Sequence, residues 1–201
     1  AALAAGARYA DARAMDTRAE VVTARNGVLD AVHRDERTGI GVRALIGSSW
    51  GFAATPDPSP AAARSAGERA AAIARASALV AGPDLALAPV PPVVGRWASE
   101  CREDPWAVPL DEKVSLLEGV TQVMRDHGAT TAEATTRVWE TRKWFASSEG
   151  ARIEQHIREC GAGMSATVVG DGETQRRSYP GIRGQYGTRG WELVREIDLP
   201  A

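Results

Sequence analysis

Between Tyr9 and Thr55 apolar and polar positions alternate along the chain instead of recurring at helical spacing. Residues 9–15 switch between bulky or polar and small side chains, and residues 20–25 contain the β-branched run Val21-Val22-Thr23. Both patterns suit a pleated strand. Asn26-Gly27 follows; both residues tolerate positive φ, so the pair predicts a tight hairpin turn with residues 28–34 as the return strand. Ile40, Val42, Ala44 and Ile46 then share one face, bounded by Gly39 and Gly47, and residues 50–53 make a short last strand. The whole reads as an antiparallel meander.

The period changes at Ser59-Pro60, a capping hydroxyl followed by proline at the first helical position. The predicted helix runs to about residue 80 and stops at Gly82-Pro83. Its face is largely alanine, which permits close packing on a sheet. Residues 82–109 hold six prolines and read as a linker or extended crossover. A second helix is predicted over residues 110–127, where Val114, Leu117, Val120 or Thr121, and Met124 recur at helical spacing. Asp111 and Glu112 favour the dipole of its first turn, and Gly128 suits its C-terminal cap. Strand-like segments return over residues 130–147, 151–159 and 164–169. Asp171-Gly172 is a second turn signal, and residues 186–197 are amphipathic enough to start a last helix.

The two halves repeat at an offset of 122: Gly6-Ala7 falls on Gly128-Ala129, and Gly39-x-Gly41 on Gly161-x-Gly163. Such a repeat speaks to architecture, not chemistry. The expected fold is therefore α+β, two related antiparallel β-sheet units with helices packed on one face. The expected division is an N-terminal domain over 1–82, a Pro-rich linker over 83–109 and a second domain over 110–201.

Composition narrows the function classes. A net charge of −2 lacks the basic excess of a broad nucleic-acid face. No apolar run approaches the roughly 18–20 residues that span a bilayer. The first residues lack a basic leader and a long apolar stretch, so they do not read as a signal peptide. With no initial Met, the start reads as lying inside a helix. Cys101 and Cys160 are too few for a disulfide scaffold and read as reduced thiols of a cytoplasmic protein.

Candidate chemistry is sparse. His156 and Cys160 are four apart on one strand face, but zinc wants three or four ligands, and only His33, His127, Cys101 and scattered acids remain. Ser147-Ser148-Glu149 with His156 lacks a nucleophile elbow and reads as a polar turn. Glu100, Glu103 and Asp104 lie beside prolines and read as solvated loop. Gly181, Gly184, Gly187 and Gly190, with Arg183 and Arg189 between them, lack the strand and helix of a phosphate loop. They read as a flexible segment that could shape access to a neighbouring domain. Trp139 and Trp144 project to opposite faces of one strand, so they cannot form a single stacking platform.

Longer stretches carry a resemblance. Ala10-Asp11-Ala-Arg13, Ala24-Arg25-Asn26-Gly27, Gly39-Ile-Gly41-Val42-Arg43 and Trp50-Gly51-Phe52-Ala53 are similar to the start of TldD/PmbA proteins. Ser147-Ser148-Glu149-Gly150 with Ile153 resembles that family's middle domain, as do the run from Gly172 to Pro180 and Gly184-Gln185-Tyr186-Gly187-Thr188-Arg189-Gly190. The resemblance implies a cytoplasmic zinc-dependent peptidase of unfolded or extended peptides, also called a modulator of DNA gyrase. It acts as a homodimer or as a TldD/PmbA-type heterodimer. Its metal site is a His-Glu-x-x-x-His helix plus a later Cys in a C-terminal domain. Here His33, His127 and His156 are followed by Arg34, Gly128 and Ile157. No catalytic or metal residue is therefore assigned in this chain; zinc is expected in the further domain.

On that resemblance the expected role is substrate channel and dimer surface. Ser147, Ser148 and Glu149, and Arg176, Arg177 and Tyr179, are expected near the channel because they are polar residues at strand ends. A peptide substrate and a partner subunit are expected; a membrane is not, and nucleic acid is disfavoured by charge. The competing expectation is a non-enzymatic protein- or nucleic-acid-interaction module of the gyrase-modulator type.

Overall fold

The computed structural model describes residues 1–80 and 82–199. In chain order the elements are β1 (Tyr9–Arg25), β2 (Val28–Ile46), β3 (Ser49–Thr55), α1 (Pro60–Ala78), β4 (Val94–Ala98), α2 (Leu110–Asp126), β5 (Thr131–Ser147), β6 (Arg152–Gly170), β7 (Glu173–Tyr179), β8 (Gln185–Gly187) and α3 (Glu192–Ile197). The class is α+β, as expected. The strands join one eight-stranded antiparallel sheet in the order β3-β2-β1-β5-β6-β4, with β7 and β8 also paired to β6. The internal repeat appears as strand length: β1 and β5 have 17 residues each, β2 and β6 have 19, and β3 and β7 have 7.

Four expectations on local structure are corrected. β1, β2 and β6 are continuous, where the sequence pattern breaks each into two pieces. In β1 and β2, cross-strand side chains bridge the polar stretch: Thr38 donates to Asp16 at 2.9 Å and Thr17 to the Arg37 carbonyl at 3.2 Å. In β6 the glycines mark close approach, not a strand end; a Cβ on Gly161 would lie 2.0 Å from the Gln185 carbonyl oxygen of β8. The Pro-rich stretch contains β4, because residues 94–98 are free of proline and can donate to a ladder. The last helix is shorter than expected, since residues 185–187 pair with β6. The first residues form turns closed by an Ala5 N–H bond to the Ala1 carbonyl at 2.9 Å, not a longer helix. Both predicted turns stand: Asn26-Gly27 and Asp171-Gly172 all have positive φ.

The residues group into two compact units, 1–17 with 36–97 and 141–156, and 18–35 with 98–140 and 157–201. The long strands β1, β2, β5 and β6 contribute to both. In the first unit α1 begins where Ser59 Oγ accepts from the Ala62 N–H at 3.2 Å. It buries Ala66, Gly67, Ala70, Ala71 and Ala74. Small residues on the sheet, Val42, Ala44 and Ala53, complete that core. Asp11 is buried and held by Arg43 at 2.5 Å, and Arg43 lies 5.1 Å over the Trp50 ring.

The second unit packs α2 and α3 on its sheet through Leu117, Val120, Trp191, Leu193, Val194 and Ile197 against Val22, Ala134, Val138 and Cys160. Charges are buried here, and each is paired. Lys113 donates to Glu20 at 2.6 Å and to the Pro105 carbonyl at 2.8 Å. Glu20 also accepts from Arg34 at 2.7 Å. Glu140 is held by Arg18, which lies 4.1 Å over the Trp106 ring. Burial pushes the Glu192 carboxyl up, but the N–H groups of Glu103, Gly190 and Arg102 outweigh it and its pKa is lowered. That carboxylate fixes the loop before α2 to the start of α3.

Candidate functional site

The two faces of β5 differ in the second unit. Ala132, Ala134, Thr136, Val138 and Glu140 are buried, whereas Glu133, Thr135, Arg137 and Trp139 are not. The strict alternation follows from the pleat: successive side chains point to opposite faces. On the uncovered face lies a hollow of about 510 Å³ lined by Arg137, Trp139, Met164, Arg176, Arg183 and Tyr186 among others. Its aromatic wall is Trp139 against Tyr186, edge to face, with ring centroids 5.5 Å apart and planes at 70°. Burial raises the Tyr186 pKa, with Arg137 pulling the other way. Tyr186 reaches this place because Gly161 of β6 pairs with it directly.

The cations of this hollow are largely unspent. Arg176 donates to Ser165 Oγ at 3.0 Å. Among the described residues neither Arg137, Arg176 nor Arg183 has a carboxylate partner. The one acid in the lining, Glu133, is held by Arg25 at 2.7 Å. A second hollow of about 610 Å³ adjoins the first and shares Arg176, Ile182 and Arg183, adding Arg177 and Ser178. Its strand β7 is exposed along its whole length and has β6 as its partner, in the register Met164↔Tyr179 to Gly170↔Glu173. Among the described residues no strand pairs with the other edge of β7.

The residues expected near a channel fall in different units. Ser147, Ser148 and Glu149 belong to the first, where they form the β5–β6 turn. Ser148 Oγ accepts from the Ala10 N–H at 3.0 Å, and Ser147 Oγ from the Ala151 N–H at 3.3 Å. Both hydroxyls are thus spent on backbone, the geometry of a turn and not of a nucleophile. Arg176, Arg177 and Tyr179 belong to the second unit. The Tyr179 hydroxyl donates to the Ile197 carbonyl at 2.8 Å, which ties the end of β7 to α3. The glycine segment is well packed, not loose: a Cβ on Gly184 would lie 2.5 Å from the Ala162 carbonyl oxygen, and one on Gly190 2.2 Å from that of Glu103. Sequence reasoning named Trp139, Arg176 and Arg183 separately. The β6–β8 pairing that gathers them has no local signal.

A metal does not fit the residues present. Among the described residues no three His, Cys, Asp or Glu side chains converge to hold one. Cys160 is buried, donates to the Gly190 carbonyl at 2.8 Å, and has its thiol pushed up to about 12, by burial first and Glu192 second. His127 is exposed and its Nδ1 lies 2.8 Å from the Val123 carbonyl oxygen. No helix among the described residues is long and apolar enough to cross a membrane.

Residues 10–74 match the family described as PmbA/TldA metallopeptidase domain 1, and residues 103–199 match its central domain. A protein named "Metalloprotease" from Methanothermobacter thermautotrophicus is 27% identical over 191 residues, which is 95% of this chain and 40% of that protein. Two solved structures share the fold at 12% identity. One, from Bacteroides thetaiotaomicron, is described as a candidate modulator of DNA gyrase; its TM-score is 0.72 over 97% of this chain and 44% of its own. The other, of like description, from Thermotoga maritima, has a TM-score of 0.66 over 95% and 42%. The chain thus spans about two fifths of the relatives it matches.

Proposed function

Because the chain belongs to the PmbA/TldA metallopeptidase family, we propose that it is the part of such an enzyme that seats an extended peptide, while residues outside this chain hold the metal and perform the cleavage. The observation that carries this reading is the free edge of β7 beside two open hollows. An unpaired strand edge offers N–H and C=O groups to an extended peptide, and backbone pairing gives affinity with little demand on sequence. That suits a peptidase of unfolded substrates. Arg176 and Arg177 on β7 would then grip the peptide from either side of the added strand. No catalytic step is assigned to Ser147, Ser148 or Glu149, whose hydrogen bonds serve the turn.

The double substitution Arg176→Ala/Arg177→Ala tests the placement in a protein of the relatives' full length. Hydrogen bonds to charged groups contribute roughly 1.5–3 kcal/mol, so kcat/KM for an extended peptide should fall about tenfold or more, chiefly through KM. Unchanged kcat/KM would remove both arginines from the peptide path.

A further inference from the structure

We infer that the groove on the uncovered face of the second unit selects acidic side chains of an extended peptide. This rests on the peptide-seating reading and adds a substrate class to it. Three arginines, Arg137, Arg176 and Arg183, line the first hollow, and Arg177 joins Arg176 and Arg183 at the second. Several arginines elsewhere are matched to acids, as Arg18 is to Glu140, Arg34 to Glu20, Arg43 to Asp11 and Arg195 to Glu103. Here the cations outnumber the acids, and the acid present is already neutralised by Arg25. A concave surface lined by one sign of charge focuses its field on what enters. Guanidinium groups fit carboxylates in a two-pronged geometry that a neutral amide cannot match.

The apolar parts of the groove argue for a peptide over a nucleic acid. Trp139 and Tyr186 meet edge to face, so one ring's face is covered by the other's edge, which leaves less of the flat platform that base stacking uses. The 87% exposed Ile182 supplies an apolar contact sized for a side chain. The free edge of β7 supplies the backbone partner. On an added strand alternate side chains point to one face, so acids on the face shared with Arg176 would point toward the hollow that Arg137 and Arg183 also line.

The test uses fluorescein-labelled decapeptides, one alternating Thr and Glu and one alternating Thr and Gln, with fifteen-residue oligothymidylate as a third probe. Anisotropy titrations are run on this chain at low and moderate salt. The Glu peptide should bind about tenfold or more tightly than the Gln peptide, and should lose most of that advantage as salt screens the charges. Arg183→Glu should weaken the Glu peptide about fivefold or more and leave the Gln peptide within about twofold. Arg183 is exposed and has no partner among the described residues, so this variant should fold normally. Arg137→Gln should act in the same direction. Equal binding of the two peptides would overturn the selectivity while leaving peptide seating intact. Binding of neither would remove both. Oligothymidylate binding more tightly than the Glu peptide, with the same dependence on Arg183, would overturn the proposal in favour of a nucleic-acid groove.

Discussion

Lys113→Ala should destabilise the protein by about 3–5 kcal/mol, the range for removing one partner of a buried ion pair. Lys113 is 2% exposed and Glu20 3%, so the substitution leaves a carboxylate buried with its nearest cation gone. The Pro105 carbonyl loses its donor as well. Arg34 remains on Glu20, but its own side chain is largely in water, so it compensates only in part. Chemical denaturation followed by circular dichroism measures the loss, and a change below about 1 kcal/mol would contradict the role given to this pair. The variant Lys113→Met/Glu20→Gln should recover part of it, because no buried charge is then left alone.

The same pair sets a pH dependence. Burial pushes the Glu20 carboxyl up, but the hydrogen bonds from Lys113 and Arg34 outweigh it, and its pKa falls below the ordinary 4.5. A carboxylate lowered in the folded state stabilises the protein above its unfolded pKa and loses that contribution as pH falls through the folded value. Glu192, lowered by backbone N–H groups, acts in the same direction. The advantage of the native chain over Lys113→Ala should therefore be full at neutral pH and shrink below about pH 4.5.

Gly51→Ala is the second large expectation. A Cβ at this position of β3 would lie 2.0 Å from the Ala70 carbonyl oxygen and 2.5 Å from the Ala74 nitrogen, both backbone of α1. Neither atom can rotate away, so the helix must lift off the strand and open the alanine-lined core between them. The cost should reach about 3 kcal/mol, the upper end of overpacking. Gly119→Ala sets the contrast of sign. Gly119 lies inside α2 with nothing within 4 Å of the added carbon. There alanine should stabilise by up to about 1 kcal/mol through helix propensity. Urea midpoints of the two variants should move in opposite directions; a Gly51→Ala midpoint at or above the native one would contradict the close packing of α1.

What the sequence made legible was local. Asn26-Gly27 and Asp171-Gly172 have the positive φ their chemistry suggests, and Ser59-Pro60 starts α1 at Pro60. The glycine offset between the halves reported a real architectural repeat, seen in three pairs of strands of equal length. The breaks read into β1, β2 and β6 failed for a common reason. Polar and glycine residues end a strand only when no partner spans them, and cross-strand bonds from Thr17 and Thr38, or the close neighbour β8, do so here. The buried Lys113 had a signal that went unused: it lies four residues before Leu117 and seven before Val120, on the apolar face of α2. The groove had none. Trp139 and Tyr186 are 47 positions apart, and only the order of strands around β6 brings them together.

The measurement that bears most directly on the account is bound zinc and peptide hydrolysis, assayed side by side for residues 1–201 and for a protein of the relatives' full length. The account predicts a folded, metal-free, inactive shorter chain beside a zinc-loaded, active longer one. Zinc held stoichiometrically, or turnover, in the shorter chain would contradict it and point to a site among His33, His127, His156, Cys101 and Cys160. A longer protein that holds no zinc and cleaves nothing would contradict it too, in favour of an interaction module.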